Sequence, residues 1–204
     1  MDEIGLFPLG IVLLPTERVP LHVFEPRYKE LIGECLELDV EFGLVYADDD
    51  GVREVGTRAR VTEVLERFDD GRLNVVVEGG SRFRVENLTR GRSFLTAEVV
   101  PVDDAPGDGP SAESVTLATG SFRALAAVAG AETGDIDGSA PELSFELAAQ
   151  VELPTEAKQQ LLELDSEERR LELVTELLDV VRATLIATRE LGEHAKKNGS
   201  RRTE

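Results

Sequence analysis

The chain has 204 residues, with 41 Asp or Glu against 22 Lys or Arg, so its formal net charge at pH 7 is −19. Phosphate backbones repel such a chain, which argues against nucleic acid as its main partner. Its one cysteine, Cys35, cannot form an internal disulfide, and no Cys/His cluster has zinc-ligand spacing. We therefore expect no metal, no cofactor and a reducing, cytoplasmic compartment.

The N-terminal stretch MDEIGLFPLG lacks the basic region of a secretion signal. No apolar run approaches the roughly 20 residues that a membrane-spanning helix needs. The sequence thus predicts a soluble, unprocessed protein without a membrane partner.

The first predicted elements are short strands. The apolar run IVLLP, residues 11–15, ends at a proline and is predicted as a strand. In the next strand, VPLHVF at 19–24, Val19, Leu21 and Val23 recur at every second position and should share one buried face.

A helix is predicted to follow this second strand. Glu25 precedes a proline and is therefore kept extended, while Pro26 has the backbone angle of a first helical turn. An apolar stripe then recurs at spacings of three and four residues up to about Leu38. Its members are Tyr28, Leu31, Ile32, Cys35 and Leu36. We interpret Glu25 and Arg27 as an ion pair at this corner rather than as an acid and a base.

Further strands follow the helix. They are EFGLVYA (41–47), GTRARVTEVLERF (56–68), RLNVVVEGG (72–80), SRFRVENL (81–88) and SFLTAEVVPV (93–102). Asp-Gly pairs at 50–51 and 70–71 predict hairpin turns. So many short strands predict a curled sheet or barrel with one inserted helix.

A stretch rich in Asp, Gly, Pro and Ser, DDAPGDGPSAES at 103–114, predicts a linker, and helical periodicity follows it. Helices are predicted at 115–130, 141–154, 155–164 and 166–197. Asp165 and Glu168 have the spacing of a capping box before the last of these. Its apolar stripe consists of Leu171, Val174, Leu178, Val181 and Leu185. The predicted fold class is α+β, with a β-rich lobe at 1–104 and a helical lobe at 105–204 that ends in a long helix.

Three stretches resemble a known family. They are FPLGIVLLPTERVPLHVFEPRYKELIGECLELDVEFGLV, EVGTRARVTEVLERFDDGRLNVVVEGGSRFRV and LPTEAKQQLLELDSEERRLELVTELL. Together they resemble the N-terminal substrate-binding domain of Lon proteases. The resemblance implies a PUA-like pseudobarrel followed by a helical lobe, and a domain that helps to recognise unfolded or tagged proteins.

The chain departs from a full Lon protease in one respect. No G-x-x-x-x-G-K-[ST] loop is present in the sequence to cradle the phosphates of ATP. We therefore expect a standalone, noncatalytic binding module, and a separate ATPase or protease is a further candidate partner.

One short segment resembles a catalytic motif in its sequence. GDGPSAES, with Ser111, resembles the stretch that carries the Lon nucleophile, and Lys158 lies downstream. A nucleophilic serine needs a base within hydrogen-bond reach and a rigid oxyanion hole. Because Ser111 lies in the predicted linker, we interpret this match as chance.

Four other candidates have structural explanations. His22 alternates with buried positions on a strand and is expected to be a solvent-facing or a hydrogen-bonded strand residue rather than a base, and Cys35 lies on the apolar stripe of its helix. The acids Asp48–Asp50 lack the alternating ligands and the distal Glu of a calcium loop. No helix follows Gly79-Gly80, as a nucleotide fingerprint would require.

The favoured hypothesis is a module that binds unfolded or exposed apolar segments of other proteins, in a cleft or by strand addition at a sheet edge. The candidate contacts are Phe68, beside a predicted hairpin tip, and Phe122 on the helical lobe, for which a core position is the stronger interpretation. The alternatives are a PUA-like protein that binds RNA or a small ligand, and an uncharacterised hydrolase.

Overall fold

The computed structural model describes residues 2–107, 109–134 and 136–199, with side chains described up to residue 191. Within these ranges the chain forms seven strands and five helices: two strands, one helix, five strands and then four helices. They are β1 (Asp2–Leu9), β2 (Arg18–Val23), α1 (Pro26–Leu38), β3 (Phe42–Asp48), β4 (Gly51–Val52), β5 (Val55–Arg67), β6 (Leu73–Thr89), β7 (Thr96–Pro101), α2 (Ala112–Ala129), α3 (Leu143–Ala148), α4 (Thr155–Glu163) and α5 (Glu167–Gly199). The fold class predicted from the sequence, strands with one early helix and then helices, is confirmed.

The chain forms two compact units. The first comprises Met1–Pro106 and Ala148–Asp165, and the second comprises Gly107–Leu147 and Ser166–Glu204. The division expected from the sequence, at 104/105, assigned all of the later helices to one lobe. In the structure, α4 instead belongs to the first unit, where Gln159 donates a hydrogen bond to the backbone oxygen of Val55 at 3.2 Å.

The first unit is built on a ring of strands. Antiparallel pairing joins β1 to β7, β7 to β6, β6 to β5 and β5 to β3. The parallel pair of β1 with β3 closes the ring, in a register where Leu6 lies opposite Gly43. β2 is added on one side of β6, and β4 continues from β3 through the first predicted hairpin turn.

Helix α1 packs its predicted stripe onto this ring. Tyr28, Leu31, Ile32 and Cys35 are all buried. The ring of Tyr28 stacks on Phe7 of β1 with the centroids 4.0 Å apart. The stretch that begins at Pro20 is therefore a corner at which strand changes to helix, as predicted, and Glu25 and Arg27 form the expected ion pair at 2.8 Å.

Two strand predictions were wrong. Residues 11–15 form no strand, although Leu13 and Leu14 are almost fully buried, because this segment crosses the core as a loop. The predicted break between strands 72–80 and 81–88 is absent as well, since β6 runs through Gly79 and Gly80 without interruption. A Cβ atom at Gly79 would lie 2.1 Å from the backbone oxygen of Leu14, so glycine here lets the loop approach the strand.

Arg82 of β6 anchors the returning segment of the first unit. Its side chain is buried and donates to the backbone oxygens of Leu162 at 2.9 Å and Leu164 at 2.6 Å. The guanidinium also bonds to Asp104 at 2.6 Å. Because a buried charge is costly unless it is paired, these partners explain how an arginine is tolerated there.

The second unit contains α2, α5 and all of α3 except its last residue, Ala148. Glu168 at the start of α5 accepts hydrogen bonds from Ser111 and Ser114 at the start of α2, and Arg189 donates to backbone oxygens at the end of α2. The two helices therefore lie side by side and run in the same direction. The predicted capping box is not formed, because the Glu168 carboxylate bonds to these serines instead, and the bonds lower its pKa.

No helix among the described residues is both long and apolar enough to cross a membrane. In the same part of the chain, no group of three or more His, Cys, Asp or Glu side chains could hold a metal ion.

Candidate functional site

Three ring side chains meet on the solvent-facing side of the first unit, and we call them the aromatic patch: His22, Phe24 and Phe68. The His22 ring lies 5.8 Å from that of Phe24, stacked, and 6.1 Å from that of Phe68, edge to face. The side chain of Phe24 is 58% exposed, and Phe68 is half-buried. Large apolar side chains that remain exposed and in mutual contact are typical of interaction sites.

Strand register explains why these residues meet. His22 of β2 lies opposite Asn74 of β6, which lies opposite Glu66 of β5. Side chains alternate between the two faces of a strand, so Phe24 and Phe68, two residues beyond His22 and Glu66, emerge on the same face. Leu21 and Val23 take the other face and enter the core.

The turn that carries Phe68 is held by hydrogen bonds. The Asp70 carboxylate accepts from the backbone N–H of Arg72 at 3.1 Å and from its guanidinium at 2.7 Å. The guanidinium also lies over the Phe68 ring, 4.7 Å from the centroid. Lys29 of α1 donates to the backbone oxygen of Asp70 at 2.9 Å. The patch therefore rests on an ordered turn, in which Gly71 adopts the left-handed conformation.

A hydrogen-bond chain orients the imidazole of the patch. Asn74 donates its amide N–H to Glu66 at 3.0 Å, and its amide oxygen lies 2.6 Å from Nδ1 of His22. An amide oxygen only accepts, so Nδ1 of His22 carries the proton. This bond fixes the orientation of the ring, which contacts both phenylalanines of the patch.

The outer edge of β2 lies beside the patch. The backbone N–H of Gly79 bonds to the oxygen of Glu17, directly before β2, so Val19, Leu21 and Val23 direct their backbone groups to β6. Pro20 therefore faces the free edge, where it supplies no N–H donor. A proline in the middle of an edge strand opposes the addition of another strand. The patch is consequently suited to side-chain contact and not to strand addition.

A second concave surface, the barrel cleft, lies between β1, α1, β5 and the loop before β7, with a volume of about 710 Å³. Ion pairs cross it from Arg58 to Asp2 at 3.0 Å and from Arg60 to Asp39 at 2.8 Å, and a third joins Arg92 to Glu34. None of its described lining residues is a serine or a histidine. Cys35 also lines the cleft, but burial raises the pKa of its thiol to about 11, and the charges of the cleft are largely paired with one another.

The comparisons with known proteins agree with this architecture. Residues 3–180 match the family model of the ATP-dependent protease La (LON) substrate-binding domain. The chain belongs to this family. The match includes residues of both compact units and confirms the resemblance noted in the sequence.

Curated relatives are Lon proteases. The domain is 29% identical to Lon protease 2 of Myxococcus xanthus and 28% identical to Lon protease of Anaeromyxobacter dehalogenans, in each case over 91% of this chain and 24% of the relative. The chain thus spans about a quarter of the length of these relatives and matches their substrate-binding part.

Solved structures show the same fold. A Lon N-terminal domain protein from Xanthomonas campestris is 30% identical, with a TM-score of 0.65 over 84% of this chain and 96% of its own. The N-terminal domain of a Mycobacterium avium complex Lon protease has a TM-score of 0.68 over 87% of this chain and 98% of its own. At 19% identity, the second likeness shows the fold alone.

The candidate contacts have different positions in this Lon-family domain. Phe68 lies in the aromatic patch, whereas Phe122 is only 6% exposed on the buried side of α2. A side chain with so little accessible surface cannot contact a client, so we exclude Phe122 from the proposed site. Sequence analysis missed Phe24, although the alternation that buries Val23 already placed Phe24 on the solvent side.

Ser111 and Lys158, the two residues that resemble a catalytic pair in the sequence, have structural roles. Ser111 caps α2: its hydroxyl accepts from the backbone N–H of Ser114 at 3.1 Å and bonds to Glu168. Lys158 pairs with Glu17, whose carboxylate also accepts the backbone N–H of Leu14. Ser111 therefore ends the linker as a helix cap, and the Lys158 ammonium is already paired with a carboxylate.

The other candidates also have structural explanations. Cys35 is buried, and burial raises the pKa of its thiol to about 11, so the reactive thiolate is disfavoured. Asp48 accepts from the backbone N–H of Asp50 and pairs with Arg53 at 3.4 Å, which makes it part of a turn.

Proposed function

We propose that this domain binds exposed apolar segments of unfolded or damaged proteins at the aromatic patch and carries out no chemistry on them. The observation that carries the proposal is the contact of the solvent-facing His22 ring with both Phe24 and Phe68, the last of which is held by an ordered turn. Apolar rings fixed in advance bind with little loss of side-chain entropy, and burial of their surface supplies the free energy.

Three further points of the proposal concern its setting. Pro20 at the free edge of β2 favours side-chain contact over strand addition. The longer curated relatives are Lon proteases, so a separate ATPase or protease is the proposed partner that acts on the bound client. The single reduced thiol of Cys35 fits a cytoplasmic location.

Fluorescence anisotropy of a labelled, carboxymethylated unfolded polypeptide tests the proposal. We expect the double variant Phe24→Ser/Phe68→Ser to weaken binding at least about tenfold, because truncated central apolar contacts commonly cost that much. Leu88→Ser is the matched control, since Leu88 is 54% exposed on β6 and lies outside the patch. Unfolding midpoints of all variants should stay near that of the wild type.

The barrel cleft is the alternative binding site, and a substitution in it tests the proposal from the other side. Leu38 lines it and is 68% exposed. If Leu38→Ser weakens binding while the Phe24/Phe68 variant binds normally, the client occupies the cleft and the patch proposal fails. Gel analysis of the same mixtures should show no fragments of the client, with Ser111→Ala as the control for proteolysis.

A further inference from the structure

The charges that surround the aromatic patch are unequal. The strand face that carries the patch continues in rows across β2, β6 and β5. Pro20 lies opposite Val76, and Val76 lies opposite Glu63, one row away from His22, Asn74 and Glu66. Glu63 and Glu66 therefore share the solvent-facing side with the patch.

The cations on this face already have partners. Arg72 bonds to Asp70 at 2.7 Å, and Arg18 pairs with Glu78 at 3.6 Å. Arg67 of β5 lies opposite Leu73 of β6, and Leu73 lies opposite Val23 of β2. The side chains of Leu73 and Val23 both enter the core. By alternation, Arg67 lies on the opposite side of β5 from Glu66 and Phe68.

The carboxylates beside the patch have no such compensation. In the described part of the chain, no cationic side chain bonds to Glu63 or Glu66, and Glu66 accepts only the amide of Asn74. Two carboxylates next to the rings thus have no ion-pair partner, against one nearby cation, Lys29, which bonds to the backbone oxygen of Asp70 at 2.9 Å, so the local excess is negative. It adds to the field of a chain whose net charge is −19.

We infer that the segments which this patch binds carry Lys or Arg close to their apolar side chains. This inference rests on the proposed function and specifies its client class. An apolar side chain of the client packs against Phe24 and Phe68, and a neighbouring cation reaches Glu63 or Glu66. Charge complementarity of this kind raises association rates and selects among partners of equal hydrophobicity.

Three synthetic peptides with one Phe-Leu-Phe core, flanked on both sides by two Lys, two Gln or two Glu, test the inference with the full chain. At low salt we expect the Lys-flanked peptide to bind about tenfold more tightly than the Glu-flanked one, with the Gln-flanked peptide between them. The difference should shrink towards zero as salt approaches 1 M, where the screening length is roughly 3 Å.

Two double variants separate the local carboxylates from the overall charge. Glu63→Gln/Glu66→Gln should remove most of the preference for Lys and retain binding of the Gln-flanked peptide. Glu37→Gln/Asp49→Asn removes the same charge from exposed residues outside this face and should retain the preference.

The outcomes are distinguishable. Equal binding of the Lys- and Glu-flanked peptides overturns the inference and leaves the proposed function intact. An equal loss of preference in both double variants overturns the assignment to Glu63 and Glu66. If no peptide binds, the proposed function itself fails.

Discussion

The two faces of the segment from Pro20 to Tyr28 have opposite environments. Leu21, Val23 and Tyr28 point into the core of the first unit, where Val23 has no exposed surface. His22 and Phe24 lie between them in the sequence and face solvent, where the His22 ring contacts both Phe24 and Phe68. Within nine residues, one set of side chains stabilises the fold and the other forms the proposed binding surface.

This separation follows from the alternation of a strand, which directs neighbouring side chains to opposite sides. Substitutions on the inner face should therefore change the free energy of unfolding and leave the chemistry of the patch intact. Substitutions on the outer face should change binding with little effect on stability.

The largest expected effect is the loss of the Tyr28 ring. Tyr28→Ala removes a buried ring that stacks on Phe7 at 4.0 Å, and we expect a loss of about 3 to 5 kcal/mol in the free energy of unfolding. Phe24→Ala, an outer-face control, should change this free energy by less than about 0.5 kcal/mol. Urea unfolding monitored by circular dichroism measures both. Equal destabilisation by the two substitutions would contradict the separation of the faces.

An intermediate effect is expected at the free edge of β2. Pro20→Thr adds a backbone N–H where the strand now presents none, which opens the edge to pairing with another chain. We expect concentration-dependent association by light scattering, with little change in the unfolding midpoint. Val76→Thr places the same residue in the same row on a central strand and should stay at the wild-type molar mass. If Pro20→Thr behaves like Val76→Thr, proline is not what protects the edge.

The smallest expected effect is the loss, at low pH, of the Asp70 hydrogen bonds in the turn that holds Phe68. The backbone N–H of Arg72, and then its side chain, lower the pKa of Asp70 from its ordinary value of 3.8. A lowered folded-state pKa contributes stability that is present above 3.8 and is lost as the pH falls through the folded-state value. The Arg72 amide resonance should therefore titrate with a midpoint below 3.8. A midpoint above 3.8, or an unchanged titration in Asp70→Asn, would refute this role of Asp70.

Much of the fold was predictable because its determinants are local. Pro26 and the stripe from Tyr28 to Cys35 predicted α1 with its observed start and end. The failures occurred where tertiary contacts override local pattern. The loop at 11–15 is apolar because it crosses the core, and Gly79 is required by a close approach of that loop, a need that its own neighbours do not reveal.

The candidate site was predictable only in part. Phe68 was chosen as a candidate contact from its position next to a hairpin turn, and one of the two structural interpretations of His22, a solvent-facing strand residue, agrees with its exposed position. Their contact depends on the pairing of β2 with β6, where the bonded residues His22 and Asn74 are 52 positions apart. Such pairing is set by the whole sheet, and sequence periodicity carries no signal for it.

The wide spacing of the paired strands has a consequence for synthesis. A chain emerging from the ribosome presents Phe24 well before Asn74 exists, and the patch cannot form until β6 has been made and has paired with β2. Until then, Phe24 and Phe68 are exposed apolar residues on an unfolded chain. Each newly made copy therefore belongs to the class of molecule that finished copies are proposed to bind.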